Sequence, residues 1–251
     1  MSGEQAPCEA VRYSETEDRF TASDEYADRF AGPVGAYFLE VQTAITLDLL
    51  RDMPGASVLD VGGGHAQLAV PLVEQGFRVT VTGTDESCRQ RLDRFLASDT
   101  FAYQTCDCLH LPFADRSFDV VLSFRLLPHV TAWRPLLMEM GRVADRVVIF
   151  DYPDIRSFNI LYRFFFRLKK SLEGNTRTYM LFSRSQIGAV LQEAGFPLQS
   201  FRPEFFWPMV LHRKTGNAAL ARMLEGMTRF LGLTRLAGSP IIVRAERKRG
   251  S

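Results

Sequence analysis

Val58-Leu59-Asp60-Val61-Gly62-Gly63-Gly64-His65-Ala66-Gln67-Leu68 reads as a short buried strand, a tight turn and the start of a helix, because an apolar run ends in one acid and then three consecutive glycines. Glycine has no Cβ, so the backbone there can take positive φ and a ligand can approach the chain closely. The free amide N–H groups of the following helix point into the same turn, which suits a nucleotide. A dinucleotide fingerprint needs glycines at positions 62, 64 and 67, and position 67 is Gln. A glycine turn with no ligand stays open as the alternative at this point.

Outward from that turn the chain alternates strand and helix. Before it, Gly32-Pro33 breaks the chain, and 37–50 reads as an amphipathic helix with Phe38, Val41, Ala44, Ile45 and Leu49 near one face. After it, Ala66, Ala69, Leu72 and Val73 keep helical spacing up to Gly76, with a kink expected at Pro71. Strands are expected at 77–83, 101–106, 118–124 and 146–151. Ser87 and Gln90 suggest a capping box, and Thr131 an N-cap for the helix of Trp133, Leu136, Leu137 and Met140. A helix opens at Ser183-Arg184-Ser185-Gln186 and stops at Gly195, and strands at 198–206 and 240–246 flank a helical stretch at 217–231. Near-continuous apolar strands alternating with helices argue for a parallel sheet covered on both faces. No linker or repeat marks a second domain. We read 1–56 as an N-terminal helical cap region, its aromatics Tyr13, Phe20, Tyr26 and Phe30 lying over a pocket, and 57–251 as the main body of a single domain with a helical insertion near 155–182.

Composition is ordinary for a soluble α/β protein: 46% hydrophobic, 24% charged and a formal net charge of +1 over 251 residues, which calls for no nucleic acid partner. The charge is uneven, however. Residues 1–32 carry 8 acids and 3 bases, and residues 201–251 carry 10 bases and 3 acids. Cys8, Cys88, Cys106 and Cys108, with no secretory signal, point to a reducing, cytoplasmic compartment and no disulfides. Cys106 and Cys108, placed in a strand, are not expected to share a metal, and His65, His110, His129 and His212 form no ligand pattern. No apolar run approaches the roughly 20 residues that span a bilayer.

The acid two residues before Gly-x-Gly at Asp60, Gly62 and Gly64 resembles motif I of the class I S-adenosylmethionine-dependent methyltransferases, with Ala66 where that family has a third glycine. Val79-Thr80-Val81-Thr82-Gly83-Thr84-Asp85 looks like the family's second strand, whose terminal acid binds the ribose hydroxyls. A carboxylate suits a diol because it accepts two hydrogen bonds. Asp107, in Thr105-Cys106-Asp107-Cys108-Leu109, stands where the family has an acid for the adenine amino group, with the neighbouring amide of Cys108 for the ring. Leu111-Pro112-Phe113-Ala114-Asp115-Arg116-Ser117-Phe118-Asp119 is similar to the signature of the methyltransferase type 11 branch, which includes ubiquinone and menaquinone biosynthesis enzymes. The resemblance implies a mostly parallel seven-stranded Rossmann-like sheet with an antiparallel last strand. It also implies S-adenosylmethionine as cofactor, held by Asp60, Gly62, Gly63, Gly64, Asp85, Asp107 and Cys108.

The acceptor is less legible, because the resemblance covers about 57–151 and fades after the fifth strand. A small or lipid-like molecule is expected. Methyl transfer needs a base only where the acceptor must lose a proton. His129, just past the fourth strand, is the candidate, with Tyr152 and His212 behind it; His65 stands beside the glycines and Asp119 supports a turn. Residues 157–170 crowd aromatics around Arg163, Arg167 and Lys170 at i, i+4 and i+7, which fits a helix packed on the domain with a solvated basic stripe, a lid over an apolar substrate, or a peripheral contact with the inner membrane surface. A non-catalytic S-adenosylmethionine-binding partner subunit and a nicotinamide dehydrogenase are the alternatives, the latter disfavoured by Gln67. Acceptor identity, the atom methylated and oligomeric state are not written in these residues.

Overall fold

The computed structural model describes residues 13–157 and 179–248. Seven strands, β1 (Ser57–Val61), β2 (Arg78–Gly83), β3 (Phe101–Thr105), β4 (Phe118–Ser123), β5 (Ala144–Tyr152), β6 (Leu198–Pro203) and β7 (Ile241–Glu246), form one sheet in the order β3-β2-β1-β4-β5-β7-β6. β1 through β5 are parallel, and β7 lies antiparallel between β5 and β6. The resemblance therefore predicted the sheet correctly. The most buried strands are those whose sequences are continuously apolar, since a central parallel strand meets a helix layer on each face.

Alternation along each strand sorts side chains into two cores. Leu59, Val61, Val121, Val148 and Phe150 face α6 (Trp133–Val143) and α7 (Arg184–Glu193), packing on Leu136, Leu137, Ile187 and Leu191. Val58, Val79, Val120, Leu122 and Ile149 face the other layer, where α4 (Ala69–Glu74) and the end of α3 (Gly32–Leu49) contribute Leu72, Leu49 and Leu50. A third cluster joins α3 to the chain after β6 through Val34, Tyr37, Phe38 and Phe205. Short helices α1 (Asp18–Thr21) and α2 (Asp24–Ala27) precede α3, and α5 (Leu92–Phe95) follows β2. After β6 come α8 (Met209–Thr215), α9 (Ala218–Phe230) and α10 (Leu233–Ala237).

Local chemistry corrects several expectations. α3 begins at Gly32 rather than 37, with Pro33 in its first turn, and its buried face carries Gln42 and Thr46 while Ala44 is exposed. Pro71 sits in the first turn of α4, where its missing N–H removes no intrahelical bond, so no kink is needed. Asp85, not a Ser87–Gln90 box, caps the 3-10 turn Glu86–Arg89 by accepting from the Ser87 N–H at 2.9 Å. The N-cap of α6 is Ala132, not Thr131, and its N–H donates to the Glu15 carboxylate at 2.9 Å. At Ser183 the capping box with Gln186 is present. Cys106 and Cys108 lie beyond β3, in the loop, and both are buried in one core.

Candidate functional site

β1 ends at the point where the sheet order reverses between β1 and β4, the place where open α/β sheets leave a crevice for ligands. Gly62 there has φ +74, and a Cβ would stand 2.9 Å from Leu126 Cδ2. A Cβ on Gly64 would meet the Cys88 carbonyl oxygen at 2.6 Å, and one on Gly63 would collide with the Asp60 carboxylate. The three glycines thus answer to geometry. The turn continues as a 3-10 segment, Gly63–His65, and Ala66 takes φ +60 before α4 starts at Ala69.

Asp60 is fully buried beside this turn, and neither carboxylate oxygen has a hydrogen-bond partner. Burial alone pushes its pKa up to about 7. An unpartnered interior carboxylate is expensive. Asp119 is its counterpart at the other end of the strands: it accepts from the Ser57 N–H at 2.9 Å and the Ser57 hydroxyl at 2.7 Å, and these bonds hold its pKa below the usual range.

His65, beside the glycines, is buried. Its Nδ1 accepts from the Gln67 N–H at 3.1 Å, which leaves Nε2 to donate toward the Phe124 carbonyl at 3.4 Å. Burial, with the Arg125 charge nearby, lowers its pKa to about 3, so the ring is a neutral brace of the turn. Asp85 stands at the end of β2, with half-exposed carboxylate oxygens and the Arg19 guanidinium 3.5 Å away. Asp107 is committed locally, accepting from the Leu109 N–H at 2.9 Å and pairing with His110 Nδ1 at 2.9 Å. The Cys108 thiol points into the core, where burial raises its pKa, so only its backbone faces other duties.

α1 covers this end. Asp18 is buried, accepts from the Thr84 N–H at 2.6 Å and the Thr84 hydroxyl at 2.5 Å, and its Cβ lies 3.5 Å from the Cβ position of Gly62. Through Asp18, α1 packs against the glycine turn and the end of β2.

Beyond β4 and β5 lies a cavity of about 430 Å³, lined by Tyr26, His129, Pro153, Tyr179, Trp207 and Met209 among others, with Arg125 and Asp151 at its floor. His129 is in it, and its ring centroid lies 5.7 Å from that of Tyr179. Tyr152 is not: it is fully buried in the core against Phe150 and Phe182, its hydroxyl unpartnered and its pKa raised by burial. His212 is also interior, 2.8 Å from Glu225, which in turn accepts from the Phe206 and Trp207 N–H groups at 2.8 and 3.0 Å.

Arg125 is the residue the sequence did not single out. Its Nε donates to Gln67 Oε1 at 2.7 Å, a terminal nitrogen to Gln42, and its backbone N–H to Asp151 Oδ1 at 2.6 Å, while its guanidinium lies 4.1 Å from the Phe30 ring centre. Burial raises the pKa of Asp151, with Arg125 opposing it, and pushes that of buried Glu204 up to about 8. The available signal was a charged residue directly after the apolar run 120–124, at the carboxyl end of a central strand. Among the described residues no group of three or more His, Cys, Asp or Glu is placed to hold a metal ion, and no helix is long and apolar enough to cross a membrane.

Residues 59–147 match the family described as "Methyltransferase domain". Demethylmenaquinone methyltransferase of Beutenbergia cavernae is 30% identical over 186 residues, covering 67% of this chain and 77% of that protein. The ubiquinone/menaquinone biosynthesis C-methyltransferase of Paracoccus denitrificans is 36% identical, the match covering 42% of this chain and 46% of that one. Among solved structures, magnesium protoporphyrin IX methyltransferase from Synechocystis, with bound S-adenosylhomocysteine, superposes with a TM-score of 0.62 at 18% identity, covering 92% of this chain and 98% of that one.

Proposed function

Since this chain belongs to the class I S-adenosylmethionine-dependent methyltransferases, we propose that it methylates a small, largely apolar acceptor seated in the cavity beyond β4 and β5. The observation that carries this reading is the lining of that cavity: aromatic and aliphatic walls from Tyr26, Tyr179, Phe206, Trp207, Met209 and Val210 meet polar and charged groups that include Arg125, His129, Asp151 and Arg213, the mixture found in small-molecule sites. The quinone-type substrates named for the Beutenbergia and Paracoccus relatives are of the same chemical kind.

The residues at the carboxyl end of β1 fit the donor. Asp60, buried without a partner, matches the ammonium at the methionine end, and Gly62, Gly63 and Gly64 let the backbone approach it. Asp85 has carboxylate oxygens within reach of solvent for the ribose hydroxyls. Asp107 and the backbone of Cys108 would hold the adenine, with Asp107 sharing an acceptor already used by its own loop. Bound there, S-adenosylmethionine supplies an electrophilic methyl group on a sulfonium. The protein's part is to align the acceptor for in-line attack and to exclude water. Asp18 and α1 close one side, and Tyr26, Phe206 and Trp207 wall the other. His129 takes a proton where the acceptor must lose one. The expected lid and membrane contact at 157–170 fall almost entirely outside the described residues.

The test is turnover of S-adenosylmethionine with a panel of quinols and phenols, following S-adenosylhomocysteine and the methylated product by mass spectrometry. His129→Gln is expected to lower kcat about 100-fold on a hydroxyl acceptor with donor affinity unchanged. Donor consumption that no aromatic acceptor accelerates would count against the acceptor class, and full activity in His129→Gln against the base.

A further inference from the structure

α9 is built inside out. A surface helix normally turns its apolar stripe to the core and its charges to water. Here the buried face holds Ala221, Glu225 and Thr228. Ala219, Met223, Met227 and Phe230, spaced i, i+4, i+8 and i+11, stand on the opposite side, and Phe230 is 90% exposed. Leu231, at the end of α9, and Leu236, in α10, are also exposed apolar side chains, at 61% and 70%. Solvent-facing Phe and Met along one helix face mark a surface that meets something.

The charges around the strip say what. Between residues 209 and 240 every exposed charged side chain is basic: Arg213, Lys214, Arg222, Arg229 and Arg235. The one acid in that span, Glu225, is fully buried and bonded to His212 and two backbone amides. Arg222 and Arg229 flank the strip along one side of α9, and among the described residues Arg222 alone of the five has an acidic partner, Glu40. An apolar strip bordered by bases of one sign is complementary to an anionic lipid surface, where rings and thioethers enter the acyl boundary and guanidinium groups meet phosphates. A second copy docked through the same face would instead set like-charged rims against each other.

We propose that the outer face of α9 with the turn into α10 docks this protein peripherally on membranes containing anionic phospholipid. The site is distinct from 157–170 and does not depend on the acceptor assignment. It is joined to the cavity by chain continuity, since α8, whose Met209 and Val210 line the cavity, runs into α9 through Gly216 at φ +62.

Flotation of the full chain with phosphatidylglycerol-containing vesicles, and with phosphatidylcholine vesicles alone, tests this. The wild type is expected to float with the anionic vesicles only, and molar salt to weaken that binding. Phe230→Glu should reduce it about tenfold without shifting the melting temperature, because the ring it removes touches almost nothing in the fold. A wild type that stays at the bottom with anionic vesicles, or a Phe230→Glu protein that floats equally well, overturns the proposal. So does loss of flotation on Arg163→Glu/Arg167→Glu with Phe230→Glu unaffected, which would move the contact to 157–170. Light scattering that shows a wild-type dimer and a Phe230→Glu monomer, without vesicle binding, would assign the strip to a second copy.

Discussion

The two ends of the proposed site are made by different means. At the donor end, the carboxyl ends of β1 and β2 place Asp60, Gly62, Gly63, Gly64 and Asp85 through strand, turn and cap, so each residue's position follows from its immediate neighbours. At the acceptor end, the floor of the cavity is a buried polar cluster assembled from α3 (Gln42), the loop after β4 (Arg125) and β5 (Asp151), with the rings of Tyr26, Phe206 and Trp207 brought in from both ends of the chain. The first kind of site is specified mostly over short range. The second depends on many distant segments being in place at once, and Arg125, through Gln67, is where the two meet.

Gly62→Val attacks the local end and should have the largest effect. A β-branched residue at φ +74, with its Cβ 2.9 Å from Leu126, strains the backbone by about 1–3 kcal/mol and fills the space a ligand would use. Titration calorimetry is expected to find no donor binding, a loss of more than about 100-fold. Unchanged affinity would mean the turn is merely structural.

Arg125→Met asks whether the two ends are separable. It leaves Asp151 without its N–H partner's charge nearby and strands the Gln42 and Gln67 oxygens, so urea denaturation should show a loss of roughly 3 kcal/mol. Because Gln67 follows the glycine turn, donor affinity and acceptor turnover should both fall. A variant that loses acceptor turnover alone would show the ends to be independent.

Asp60 gives the smallest expected change in donor affinity and the most diagnostic one. Its folded pKa, about 7, lies above the unfolded carboxylate value of 3.8, so the stability it contributes is complete below about pH 4 and is lost as pH rises through 7. Above that the buried charge destabilises the ligand-free protein by up to about 4 kcal/mol. Asp60→Asn should therefore raise the melting temperature at pH 8 and leave it nearly unchanged at pH 4. If Asp60 meets the donor's ammonium, wild-type affinity should rise about tenfold between roughly pH 6 and 8, and Asp60→Asn should flatten that rise. A flat wild-type profile would remove Asp60 from the ligand.

The same division explains what could be read in advance. The alternation of strand and helix, the glycine turn and the caps at Ser183 and Gly195 are short-range matters of periodicity, φ and hydrogen bonding, and the residues state them directly, whereas the sheet came from the family resemblance. Arg125 and Gln42 could not be found that way, because a guanidinium looks solvated until the fold brings Gln42, Gln67 and Asp151 around it. His65 could not be placed for the same reason: beside a glycine turn its burial is undetermined, and only Phe124, 59 residues away, reveals it as interior. α3 was misjudged because its polar Gln42 and Thr46 face inward, against the apolar stripe that the pattern favoured.

β7 has a consequence for how the protein is made. It is both the antiparallel strand of the sheet and an interior one, so Tyr152 on β5 waits for Ile241 as its partner. During synthesis at about 5–20 residues per second, β5 would leave the ribosome roughly 5–20 s before its neighbour exists. For that interval its flank offers Val147, Val148, Ile149 and Phe150 beside unpaired backbone, a template for aggregation. Productive folding of this chain then depends on holding that edge apart until residues 241–246 arrive, which makes nascent-chain chaperones and translation speed determinants of its yield.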